Sequence, residues 1–368
     1  MKKKERLSLF HEMGIIFQIL VVYFFLLVSC SANKSVPAFF TFGDSLVDVG
    51  NNNNLLTQAK ANFYPHGIDF GNNPRGRFSN GRTTFDILQQ ELGFAQFTPP
   101  YLAPTTVGDA LLQGVNYASS GSGIFNYTGY FFGERINFDT QISNHGRTVL
   151  AIMSRIGIPA AQKLLRRAIY GVVIGSNDIM FREFTPMAMS MSEEAYLDFL
   201  ISRLKLALTT LYNLNARKIT VSNAGPSGCI PYEKEIHPVP KGSCVRLINR
   251  MAQTYNDKLK GMLAELNKDL LGAKFIYVDI YQILIDLTKN YVSYGFENAT
   301  SACCSFAVTP VGLVPCNPLS KICPDRSKYI FWDAFHLTDA ANVIATRHMM
   351  DGGLNYVSPM NFRRLVQS

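Results

Sequence analysis

The most constraining feature of this chain is an alternation of short β-rich apolar runs with long segments of helical period. Phe39 to Phe42 (FFTF) ends in Gly43-Asp44, and Tyr170 to Ile174 (YGVVI) ends in Gly175. Lys218 to Ser222 (KITVS) and Phe275 to Val278 (FIYV) are two more such runs. Between them, Ser192 can cap a helix with Glu193 and Glu194 in its first turn, followed by a stripe of Tyr196, Leu200, Leu204, Leu208 and Leu211. Ile248, Tyr255, Leu259, Met262 and Leu266 mark a second long helix, and Thr338 to Met350 a third. Strands that are apolar throughout are covered on both faces. The expected fold class is therefore α/β, a central parallel sheet between helical layers. Val49 to Gly123, dense in Gly, Asn, Pro and Ser, reads as loops. No period of 20 to 50 residues repeats, and no Pro/Ser/Gly-rich linker divides the chain.

The first 32 residues stand apart from this pattern. Basic residues at positions 2 to 6 precede the apolar run Gly14 to Val28, and small residues follow from Ser29 to Ala32. That arrangement predicts a secretory leader over 1–32, and a transmembrane span would need about 20 apolar residues. Residues 33–368 then read as one domain with no stable membrane anchor. With 47% hydrophobic and 17% charged residues, the chain can bury a core and is not of disordered type. Residues 33–368 keep 31 basic and 25 acidic residues, +6. No dense Lys/Arg block stands out, so nucleic acid is not an expected partner.

Cysteine usage fits export. Without Cys30 there remain Cys229, Cys244, Cys303, Cys304, Cys316 and Cys323, an even set in the last 140 residues. In an exported chain this predicts three disulfides. Zinc would want CxxC or Cys/His pairs, which the adjacent Cys303-Cys304 suits poorly. Cys229 and Cys244 are close enough to pair, and Cys303 and Cys304 are expected to bond to Cys316 and Cys323 in an order that stays open. Asn33, Asn126 and Asn298 head Asn-x-Ser/Thr triplets and are candidate glycosylation sites.

Chemistry-bearing residues collect where strands end. Ser45, in Phe42-Gly43-Asp44-Ser45, follows a buried strand, where a turn into a helix would present its hydroxyl near a helix N-terminus. A helix-capping role is the plain structural reading of such a serine, and no G-x-S-x-G elbow occurs in the chain. Asp333-Ala334-Phe335-His336 directly precedes the third helix; residues three apart on a helical turn share a face, so the carboxylate can fix the imidazole's tautomer. His336 alone among the histidines has an acid at this spacing in an apolar, strand-closing context. Asn177, after the Gly175 turn, could donate its amide to an oxyanion or form an Asx-turn. Gly121, in the Gly/Ser loop ending at Gly123, could present a backbone N–H to the same oxyanion.

Five blocks in order resemble the plant-type GDSL esterase/lipases of the SGNH hydrolase superfamily. They are Phe42-Gly-Asp-Ser-Leu-Val-Asp-Val-Gly-Asn-Asn-Asn53, Gly76-Arg-Phe-Ser-Asn-Gly-Arg82, Gly114-Val-Asn-Tyr-Ala-Ser-Ser-Gly-Ser-Gly123, Gly175-Ser-Asn-Asp178 and Asp333-Ala-Phe-His336. Leu337, Asp339 and Ser120 depart from the pattern. The resemblance implies a flavodoxin-like three-layer sandwich and a catalytic Ser45, His336 and Asp333. It also implies an oxyanion hole from Ser45 N–H, Gly121 and Asn177, with no metal or cofactor. The expected activity is that of a secreted serine esterase acting on lipid or acylated cell-wall esters in the apoplast. The alternatives are an acyltransferase of the same fold, as in cutin-type polyester synthesis, or a catalytically silent binding protein.

Overall fold

The four apolar runs form strands, and their alternate residues face two different helical layers. The computed structural model describes residues 36–73, 75–237, 239–240, 242–305 and 316–368. Strands β1 (Phe39–Gly43), β2 (Ile169–Val173), β3 (Lys218–Ser222) and β4 (Lys274–Val278) pair in parallel and in sequence order. Residues 115–119 extend the ladder beyond β1: Thr41 N–H donates to Val115 O, Tyr117 N–H to Thr41 O, and Ser119 N–H to Gly43 O. The spatial order therefore reverses at β1, which places a crevice beyond the carboxyl ends of the strands.

Phe40, Phe42, Tyr170, Val172 and Val221 pack against α2 (Phe138–Ile156), α3 (Ile158–Arg167), α5 (Glu193–Asn213) and α7 (Arg246–Asp269). Phe39, Ile169, Val173, Ile276 and Val278 face α1 (Thr84–Glu91), α8 (Ile280–Lys289), α9 (Asp339–Asp351) and α10 (Phe362–Gln367). Each fully buried Phe or Val contributes about 1.5–3 kcal/mol, so this two-sided burial dominates the fold's stability. A short α4 (Ser176–Met180) follows β2, and α6 (Pro231–Ile236) lies in the disulfide-closed segment after β3.

Ser192 caps α5 as expected, accepting from Ala195 N–H, and Thr338 caps α9 rather than opening it. The stretch 49–123 is not wholly loop. Thr83 and Asp86 close a reciprocal capping box that starts α1. The Thr-x-x-Asp spacing was the available signal, obscured by the surrounding polar composition.

The excursion before the last helix carries β5 (Asn298–Ala302) paired in parallel with β6 (Tyr329–Phe331), while β7 (Val357–Ser358) closes the main sheet antiparallel to β4. The six cysteines among the described residues all pair: Cys229 with Cys244, Cys303 with Cys323, and Cys304 with Cys316. Asn126 is exposed, and Asn298 is half-buried, its amide oxygen accepting from Thr300 and Ser301 N–H. The leader segment and Asn33 lie outside the described residues. Among the described residues, no helix is long and apolar enough to cross a membrane.

Candidate active site

Ser45 reaches the crevice through a corner built by its two preceding residues. Gly43 ends β1 at φ +152°, and a Cβ there would sit 2.2 Å from Val173 O, so only glycine fits. Gln141 on α2 clamps the same residue, accepting from Gly43 N–H and donating to Gly43 O, both at 2.8 Å. Asp44 N–H continues the ladder to Val173 O, and the Asp44 carboxylate accepts from Leu46 N–H at 3.0 Å. This Asx-type turn leaves Ser45 half-buried at the apex. The expected helix N-terminus is absent: the next helical residues are the short turn Asn51–Asn54. The local device is a carboxylate-closed turn instead of a helix dipole.

His336 meets Ser45 from the other side of the crevice. Its Nε2 lies 2.7 Å from Ser45 Oγ, and its Nδ1 lies 2.8 and 2.9 Å from the two Asp333 oxygens. A carboxylate only accepts, so Nδ1 carries the proton and Nε2 accepts from the Ser45 hydroxyl. Asp333 and His336 occupy a bend after β6, not a helical turn. Asp333 Oδ1 accepts from both Phe335 and His336 N–H, which closes the bend. Burial pushes the Asp333 carboxyl up, but the charge and hydrogen bond of His336 outweigh it and hold the carboxyl below its usual range.

Further residues brace this bend. Trp332 N–H donates to His336 O, and Trp332 Nε1 donates to His66 Nδ1 at 3.2 Å. His66 Nε2 then donates to Cys316 O at 3.1 Å, a carbonyl anchored by the Cys304–Cys316 disulfide. Burial pushes His66 down to about 4, which keeps it neutral for this relay of contacts. Phe78 packs its ring 4.9 Å from the His336 ring. Asp339, one of the departures from the family pattern, accepts from the backbone N–H, Nε and Nη2 of Arg82, tying the second block to the start of α9.

The glycine loop is held by the polar residues after Ser45. Asp48 accepts from Gly50, Asn51 and Ser120 N–H. Asn51 donates to Asn116 and Ala118 carbonyls, and Asn52 donates to Ser120 O. Asp178 holds the far end, accepting from Ile124 and Phe125 N–H and the Thr128 hydroxyl. Burial raises Asp48 and Asp178 to about 6 and Asp44 to about 7, against the lowering effect of their N–H donors.

Gly121, at φ +79°, lines the cavity, whereas Gly123 sits against Asp178 and Thr128. Asn177 Nδ2 donates to Ser122 O at 2.9 Å and also lines the cavity. The N–H groups of Ser45 and Gly121 make no hydrogen bond among the described residues. The cavity has a volume of about 120 Å³, and apolar side chains such as Leu46, Phe132, Met180, Phe181 and Phe335 form much of its wall. Sequence reasoning brought forward Ser45, Gly121, Asn177, Asp333 and His336, and all five line or adjoin this cavity. It missed Asp48, Asn51, Asn52, His66 and Trp332, whose partners lie far away along the chain.

The model of one family, described as GDSL-like Lipase/Acylhydrolase, matches residues 39–349. Two GDSL esterase/lipases of Arabidopsis thaliana, At4g16230 and At2g23540, are 51% and 40% identical to the chain. Each alignment spans 95% of this chain, and 95% and 96% of those proteins. A solved structure titled LAE5, an alpha/beta hydrolase enzyme from the metagenome of Lake Arreo, has 12% identity and a TM-score of 0.36 over 86% of this chain and 95% of its own. That distance is too great to carry an argument. The family match and the two relatives each span most of the sequence: the chain belongs to the GDSL-like lipase/acylhydrolase family.

Proposed function

We propose that this carboxylic ester hydrolase is exported and cleaves lipid or acylated cell-wall esters through a Ser-His-Asp acyl-enzyme mechanism. The observation that carries the mechanism is the line of hydrogen bonds from Ser45 Oγ through His336 to Asp333. Ser45 Oγ attacks the ester carbonyl carbon while His336 Nε2 takes the hydroxyl proton. The carbonyl oxygen becomes an oxyanion that accepts from Ser45 N–H, Gly121 N–H and the free hydrogen of the Asn177 amide. The C–O bond to the alcohol breaks, His336 returns the proton to the leaving oxygen, and an ester of Ser45 remains. Water, deprotonated by His336, then attacks that ester; the acyl carbon–Oγ bond breaks as His336 returns the proton to Ser45, and the acid is released. Asp333 orients the imidazole and stabilises its charged form.

The apolar wall of the cavity favours a hydrophobic acyl or alcohol group. Export is supported by the basic and apolar leader pattern and by the three disulfides. Asn126, exposed, is better placed for a glycan than the half-buried Asn298. The test is a series of p-nitrophenyl esters of graded chain length, with and without a diol acceptor. The expected result is release of free acid with a chain-length optimum. No ester cleavage by the fully disulfide-bonded protein would overturn the reading, and ester transfer to the diol at the expense of free acid would convert it to an acyltransferase.

A further inference from the structure

We propose that a cationic groove at the N-terminal end of the sheet binds an acidic polysaccharide, a polyuronate whose repeating carboxylates meet five clustered cations. Arg166 and Arg167 end α3 just before β2, Arg217 and Lys218 lie at the start of β3, and Lys274 opens β4. All five line one open groove of about 620 Å³, and among the described residues no Asp or Glu does.

None of the five joins an ion pair among the described residues. Arg217 donates to the Tyr212 and Ala216 carbonyls and lies over the Tyr212 ring, and Lys218 donates to Val366 O. The side chains of Arg166, Arg167 and Lys274 have no hydrogen-bond partner among the described residues. Burial holds Arg217 and Lys218 below their usual values, and neighbouring cations add to it: Arg166 for the first, Lys274 and Arg167 for the second. Like charges gathered without counter-charges cost stability, and folds keep such conflicts chiefly where function uses them.

The charge is local. Residues 33–368 carry +6, and five of their cations converge here, so the remaining surface is close to neutral. Position selects the partner. Ser45 and Asn177 follow the carboxyl ends of β1 and β2, whereas the groove sits at the amino ends of β2, β3 and β4. A five-residue strand spans roughly 16 Å, so the two sites occupy opposite poles. A flat lipid surface on the groove would turn the Ser45 cavity away from the lipid. A hydrated polymer lying in the groove leaves the cavity open, and repeated carboxylates match several cations better than one anion does. The inference rests on the export reading only for where such a polymer is met; binding itself is independent of catalysis.

The test is retention of the purified full chain on immobilised polygalacturonate in calcium-free buffer, with dextran as the neutral control and phosphatidylserine vesicles as the lipid arm. The expected result is binding to polygalacturonate that weakens steeply as salt rises toward about 0.5 M. Arg167→Glu with Lys274→Glu should weaken low-salt binding about tenfold or more. Arg147→Glu with Lys289→Glu, an equal charge change outside the groove, should weaken it far less. Circular dichroism confirms folding; if the first pair does not fold, Arg166→Gln with Arg167→Gln, both exposed on the last turn of α3, carries the same test. Retention no greater than on dextran, binding to vesicles alone, or equal loss in both charge-reversal pairs would overturn the proposal.

Discussion

Asn177→Ala isolates one donor of the proposed oxyanion hole, and the structure separates its two consequences. An amide nitrogen carries two hydrogens, and that of Asn177 uses one on Ser122 O. Ser122 is fully buried, so its carbonyl loses a partner and the fold loses about 1–3 kcal/mol. For a domain of this size that lowers Tm by about 1–4 °C. The second hydrogen is free for the transition state. Its loss should reduce kcat by about 10²–10³-fold, equivalent to about 2.7–4 kcal/mol. KM should stay within about threefold, because the interaction strengthens only as charge develops on the oxygen. The assay is steady-state cleavage of a p-nitrophenyl ester well below the variant's Tm, with circular dichroism to count folded molecules. Asn177→Asp, equal in shape but without a donor, should be at least as impaired. A kcat per folded molecule within about fivefold of wild type, or a loss confined to KM, would refute the role and leave Asn177 as a brace for the Ser122 loop.

Three other perturbations follow from the same contacts. Asp333→Asn keeps the shape of the bend but removes the negative charge and sets an N–H donor in place of one carboxylate oxygen facing His336 Nδ1, which favours the wrong tautomer; kcat should fall by about 10³–10⁴-fold in the same assay, by analogy with other Ser-His-Asp sites. Burial pushes the Asp44 carboxyl from its ordinary 3.8 up to about 7, so the folded state holds an extra proton between those values. Stability from this group is therefore lost as pH rises through that window, and Asp44→Asn should gain on wild type, by up to about 4 kcal/mol above pH 7, in chemical denaturation at pH 5 and pH 8. An advantage that shrank with rising pH would contradict the sign. Cys304→Ser with Cys316→Ser should cost about 2–4 kcal/mol by the same denaturation and also lower kcat, since Cys316 O anchors the His66–Trp332 contact behind the Asp333 bend.

What could be read along the chain was whatever depends on neighbours in sequence. The strands β1 to β4 declare themselves because each is a short apolar run, and Asp333 and His336 because three residues separate them. The long-range polar scaffold left no such trace. Asp48 meets Ser120 across 72 residues, and Trp332 meets His66 across 266. Nothing local in Asn51 or Asn52 says that their amides will carry the carbonyls of the glycine loop. The pairing of Cys303 with Cys323 and of Cys304 with Cys316 was open because adjacent cysteines offer both orders equally. The helix expected behind Ser45 stops after one turn: Asp44 O accepts from Val47 and Asp48 N–H, and the Asp48 carboxylate then takes the N–H groups of Gly50 and Asn51.

The most direct test of the account is covalent labelling by a fluorophosphonate, with mass-spectrometric mapping of the modified peptide in the wild type, Ser45→Ala and His336→Ala. The account predicts one label per chain on Ser45, none in Ser45→Ala, and greatly slowed labelling in His336→Ala, where no base removes the hydroxyl proton. Each single substitution should reduce kcat by several orders of magnitude, and the double variant should be scarcely worse than either, because the two groups act as one unit. A folded Ser45→Ala enzyme that still cleaves esters and still takes up the label would contradict the central claim.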